Sequence, residues 1–156
     1  MNLGSFKTAI KRWIGLLKNK IRFTRRRVII LSIMAVIAII HILRIGDYLS
    51  GDLHNLYYSY FSDLILPFGG YFLLCAAEFK LPILRHWKPK LLISFLVPVI
   101  AEIFQFFDIP VLGSTFDPLD YLMYGFGAIS AAILDRQVFP RIFEFWMYAK
   151  NGKLMN

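Results

Sequence analysis

Four apolar runs, parted by short charged or turn-rich links, govern what this chain can fold into. They are VIILSIMAVIAIIHIL (Val28–Leu43), LYYSYFSDLILPFGGYFLLCAA (Leu56–Ala77), LLISFLVPVIAEIFQFF (Leu91–Phe107) and PLDYLMYGFGAISAAIL (Pro118–Leu134). A helix needs about 20 apolar residues to cross the hydrocarbon core of a bilayer, and about 17 at the lower end. Basic flanks extend a short run, because long cationic side chains reach the headgroups while their stems stay apolar. The runs are continuous rather than alternating, which argues against a membrane β-barrel.

Composition decides against the other fold for four apolar helices, a soluble bundle. The 156 residues are 58% hydrophobic and 18% charged, where a soluble domain carries about 45–50% and about 25%. Too little polar surface remains to cover four such runs. The expected fold is therefore all-α: a polytopic four-helix transmembrane bundle spanning at about 28–44, 56–77, 91–107 and 118–134, with an amphipathic interfacial helix ahead of it. The first run reads as a retained span rather than a signal peptide, since its basic region is too long and no small-residue cleavage signal follows. The single cysteine, Cys75, excludes a disulfide within the chain and reads as a small residue at a helix interface.

Charge sets the direction. The basic residues number nine through Arg27, one from Arg44 to Asn55, four from Glu78 to Lys90, none from Asp108 to Asp117 and four from Asp135 onward. Short cytoplasmic loops collect Lys and Arg, so both termini and the middle link are expected in the cytoplasm of a bacterial inner membrane protein. Residues 1–27 form a basic amphipathic segment, with Phe6, Ile10, Trp13, Ile14, Leu17 and Ile21 at spacings of three and four, suited to anionic phospholipid at the cytoplasmic face. Residues 28–134 hold the spans. In the cytoplasmic tail, 135–156, Phe139, Ile142, Phe143 and Trp146 suggest a second interfacial helix. No zinc-finger, helix-turn-helix or RNA-binding pattern is present, so no nucleic-acid partner is expected.

The polar exceptions within the spans share a depth. Asp63 lies in the second run, Glu102 and Gln105 in the third, and Asp117 and Asp120 at the start of the fourth. The antiparallel order puts them all in the outer half, the deeper ones roughly 7–11 Å from the helix ends. Ionisable groups within a membrane usually face the bundle interior or a wet cavity. Asp117 also suits a helix cap, with Pro118 in the first turn, and Asp63 suits pairing with Tyr57, Tyr60 or a helix terminus. Glu102, inside an otherwise apolar helix, has the weakest structural explanation. With few cations on that side, such a cluster calls for a cation or a hydroxyl-rich ligand. Pro67, Gly69, Gly70 and Pro98 mark kinks or close contacts, and Gly125 and Gly127 offer surfaces for tight helix packing.

The stretch AEIFQFFDIPVLGSTFDPLDYLMYGFGA (Ala101–Ala128) resembles the VanZ-like family of small integral membrane proteins. The likeness lies in Glu102 and Gln105, then Asp117 and Asp120, then Gly127; SDLILPFGGYFL adds Asp63, Pro67 and Gly69. Tyr124 stands where members tend to carry Asn, and the Arg that members often have before the two acids is missing. The resemblance implies the membrane architecture, and a link to glycopeptide-antibiotic resistance in some members.

Three functions fit the residues. The first is a membrane protein binding a small polar or cell-envelope ligand at an outward-facing acidic pocket, with Glu102 and Asp120 as principal contacts and Gln105, Asp63 and Asp117 shaping the site. The second is an enzyme acting on a lipid-linked envelope substrate through a carboxylate acid or base. The third is a structural or assembly partner of another membrane protein, or a homo-oligomer. No HExxH, nucleophile elbow or Walker A motif is present, and His41 and His54 are too loosely placed for a metal site. Neither metal nor cofactor is expected.

Overall fold

The computed structural model describes residues 3–78, 80–107 and 117–146. The link 108–116, with Ser114 and Thr115, and the tail beyond Trp146 lie outside the described residues. So do the side chains of Phe6, Lys7, Lys11 and Lys18 from the amphipathic segment. The described residues form an all-α, four-helix fold: α1 (Leu3–Ile42), α2 (Asp52–Ala77), α3 (Trp87–Phe106) and α4 (Asp120–Ile133). A π turn, Leu134–Val138, continues α4 into a short helix α5 (Phe139–Ile142), and a 3-10 turn, Glu144–Trp146, follows.

Helix α1 runs unbroken for 40 residues, about 60 Å at the usual rise, so no helix break separates the basic segment from the first apolar run. It stops at Arg44, whose left-handed φ of 47° turns the chain out of the helix. The following turn, Ile45–Tyr48, is held by Arg44 Nε to Asp47 Oδ2 at 3.1 Å and by a hydrogen bond from the Tyr58 hydroxyl to Asp47. Gly51 has φ 61° and ψ −136°, a conformation open to glycine because it has no Cβ.

Among the described residues two helices, α2 and α3, are long and apolar enough to cross a membrane. Only 28% and 33% of their apolar stretches are buried within the protein, so most of that surface faces outward, unlike the core helices of a soluble bundle. On α4, Leu122, Phe126 and Ile129 recur at spacings of four and three and are all exposed, which makes one outward apolar stripe. Large contiguous apolar surface marks membrane or partner contact, and the molecule has a membrane-associated helical character. The apolar run of α1 is cut short by Arg25, Arg26 and Arg27. That of α4 is bounded by Asp120, Asp135 and Arg136.

Helix α2 lies at the centre and touches α1, α3 and α4. Its closest approach is to α4 at Gly127, where a Cβ would overlap the Leu64 carbonyl oxygen and lie 2.9 Å from Pro67 Cγ. Gly125 is looser, with Phe95 at 3.9 Å from a Cβ placed there. Pro67 and Pro98 are buried inside α2 and α3; each leaves the carbonyl four residues earlier, Asp63 and Ser94, without its usual helical donor. The packed core gathers Ile30, Tyr71, Phe72, Cys75, Ala131, Ala132 and Trp146 toward one end. Trp146 turns into that core, and Phe139 and Phe143 pack on it. These three aromatics therefore meet one another rather than forming an outward interfacial stripe.

Candidate functional site

The two ends of the bundle are built differently. At the end where α1 and α3 finish and α2 and α4 begin, the helices part around a cavity of about 800 Å³. Asp63, Glu102, Gln105, Asp117 and Asp120, the five residues that share a depth in the sequence, all line it. Gly69 and Gly70 line it too. No Lys or Arg does among the described residues; His41 from α1 is the one basic side-chain type on the wall. The link 108–116 adds no basic residue by sequence.

Tyr124 organises this end. Its hydroxyl donates to Glu102 Oε1 at 2.9 Å and lies 3.4 Å from Asp63 Oδ1, so one phenol from α4 bridges carboxyls on α3 and α2. Asp120, in the first turn of α4, lies close enough to interact with Asp63, Glu102 and Asp117. A helix start favours an acid there, yet four carboxyls so placed also repel one another. Asp117 has a local duty as well, since its Oδ1 accepts the Leu119 N–H at 2.9 Å. A π turn at Tyr57–Phe61 ends two residues before Asp63, and such single turns frequently occur at functional sites.

Glu102 departs furthest from what a structural carboxyl should look like. It is 4% exposed, and its Oε2 has no hydrogen-bond partner among the described residues. A buried carboxyl oxygen left without a donor costs free energy, and structural groups normally avoid that cost. The polar wall thus includes a buried acceptor that no described donor meets.

The opposite end holds a second ionic group, one that a loop-by-loop reading of the sequence scatters. Arg26 of α1 donates to Glu78 Oε2 at 2.9 Å and Oε1 at 3.1 Å, and to Asp135 Oδ1 at 3.1 Å. Lys90 of α3 donates to Glu78 Oε1, to Asp135 Oδ2 at 3.0 Å and to Cys75 Sγ at 3.2 Å. Tyr71 and Trp146 complete the shell of Asp135 with bonds of 2.9 Å each. Arg26 also lies over the Trp146 ring, 4.7 Å from its centre. All four charged groups are buried, and two cations balance two anions. Burial pushes the Asp135 carboxyl up, but the Lys90 ammonium and the Arg26 guanidinium outweigh it and hold it below its ordinary value.

Donor atoms of Cys75, Glu78 and Asp135 lie within 4.8 Å of one another, a grouping that suits a ligand or a metal ion. The geometry also shows which cation these atoms hold: the Lys90 ammonium bonds to all three residues. A metal would have to displace it. The arrangement is a lock between helices rather than an open coordination site.

The sequence carried a signal for this lock. Arg26 lies two residues before the first apolar run, Glu78 follows the second, Lys90 precedes the third and Asp135 follows the fourth. All four share a depth, as the acids of the other end do. Counting Arg26 and Lys90 only as topology signals hid their pairing. No family model, curated protein or solved structure matches this chain.

Proposed function

We infer that the chain is a multi-pass protein of a bacterial inner membrane which binds a small polar or cell-envelope ligand in the acidic cavity, with that cavity facing outward. The orientation rests on the bias of Lys and Arg toward the other end, a bias that survives removal of the buried pair-forming residues Arg26 and Lys90 from the count. Both termini and the link from Glu78 to Lys90 then lie in the cytoplasm. There the basic stretch of α1 meets anionic phospholipid.

The observation that carries the reading is the unpartnered Oε2 of a buried Glu102 beside a cavity with no Lys or Arg on its described walls. A ligand bearing donors supplies what the wall lacks. Glu102 and Asp120 are the principal contacts, with Gln105, Asp63 and Asp117 shaping the site. Kinship with the VanZ-like family belongs to the same proposal, and it rests on the sequence pattern of Glu102, Gln105, Asp117, Asp120 and Gly127 with Asp63, Pro67 and Gly69.

The test is binding by the purified protein in lipid nanodiscs, read as a change in thermal melting with a panel of small amines and polyols. Wild-type protein responds to at least one member, and Glu102→Gln and Asp120→Asn abolish the response while staying folded. An unchanged response in both variants rejects the contacts.

A further inference from the structure

The cavity is not a uniform acidic bowl. Its carboxyls gather at one end, while the remainder of its wall runs along α1 and α2 past Ala38, Ile37 and Met34 on one side and Leu66, Gly69 and Leu73 on the other. From Asp63 to Leu73 this trough follows α2 for about 15 Å. Leu66 and Leu73 line the trough and also belong to the exposed apolar surface of the bundle. The trough therefore opens sideways, onto the face that α2 presents to its apolar surroundings. Gly69 forms part of its floor, where a Cβ would come to ordinary contact distance, 3.6 Å, from the Ile37 and Met34 side-chain ends.

We propose that the site takes a lipid-like amphiphile with an ammonium head, the head among Glu102, Asp120 and Asp63 and the chain in the trough between α1 and α2. This rests on the acidic-pocket reading and narrows its ligand class. Charge complementarity selects the head. An ammonium offers three donors and no acceptor, whereas the described wall offers several carboxyls, an unpartnered carboxyl oxygen and no Lys or Arg. A phosphate or carboxylate head would meet like charge. Shape and polarity select the chain, because a water-soluble ligand has no use for an apolar trough open to the side. Apolar walls with a few convergent polar groups are the usual form of such sites.

Dodecylamine carrying a mid-chain diazirine is the probe, with full-length protein in nanodiscs and cross-linked residues mapped by mass spectrometry. Labelling is expected on α1 at 34–38 and on α2 at 66–73. Excess dodecylamine should compete it at least about tenfold better than ethylamine, which has the head alone, or dodecanoate, which has the chain with the opposite charge. Glu102→Gln combined with Asp120→Asn should reduce labelling about tenfold. Leu73→Trp, at an exposed position, should fill the trough and do the same.

Equal competition by ethylamine, together with undiminished labelling of Leu73→Trp, would overturn the amphiphile while leaving the acidic pocket standing. Labelling that survives the double acid substitution would overturn both. Equal competition by dodecanoate would overturn the ammonium head.

Discussion

Lys90 and Asp135 meet with Nζ 3.0 Å from Oδ2 although 45 residues separate them along the chain. The contact joins the start of α3 to the end of α4. Through Glu78 and Arg26 the same group reaches α2 and α1. One neutral cluster thus touches every long helix. Removing a single partner from a buried pair leaves an uncompensated charge and costs about 3–5 kcal/mol.

Accordingly, Glu78→Gln and Lys90→Met should each lower the melting temperature in detergent markedly, by about 3–5 kcal/mol of stability. The double substitution restores neutrality and should cost clearly less than the two effects added. A double-mutant cycle on melting data checks this; strict additivity would refute the lock.

Gly127 is set apart from Gly125 by what surrounds each. Gly127→Ala forces a methyl against the Leu64 carbonyl and Pro67, and overpacking of this kind costs about 1–3 kcal/mol. Gly125→Ala meets only Phe95 at ordinary contact distance and should be neutral within about 0.5 kcal/mol. Parallel melting of the two variants makes the comparison.

Functional crowding has its own signature. If Glu102 and Asp120 are kept for a ligand, relieving the crowd should stabilise the empty protein, because a site that needs a destabilised arrangement trades stability for activity. Glu102→Gln should therefore melt at or above the wild type while losing the binding response. Tyr124→Phe strips the bridge between Glu102 and Asp63 and should melt lower. A lower melting temperature for Glu102→Gln would mark that carboxyl as structural.

Topology is open to direct labelling. Ser50 is exposed in the link between α1 and α2, whereas Cys75 is buried against Lys90. Ser50→Cys should react with an impermeant maleimide added outside intact cells, and the wild type should give little background. Protection of residue 50 until the membrane is opened would reverse the orientation.

Much of the frame was legible because apolar runs and their charged borders coincide with helix limits. Runs two and three, 56–77 and 91–107, fall on Asp52–Ala77 and Trp87–Phe106, and run four, 118–134, on Asp120–Ile133. The gathering of Asp63, Glu102, Gln105, Asp117 and Asp120 around one cavity follows from depth, which a chain that reverses direction at each link encodes in sequence position. What stayed illegible depends on rotation about the helix axis. Nothing in spacing alone says that Tyr124 points at Glu102, or that the π turn after Ile133 swings Asp135 inward. The continuity of α1 was likewise hidden, since a change from basic to apolar residues alters what a helix faces and not whether it is one.

Because the cation held by Cys75, Glu78 and Asp135 is a side chain, it cannot be drawn off by a chelator or exchanged for another ion. Buried pairs also feel little of the surrounding salt. The end of the bundle closed by Lys90 therefore carries its own counterion, whereas among the described residues no Lys or Arg lines the far mouth beside the carboxyls of Asp63, Glu102 and Asp120.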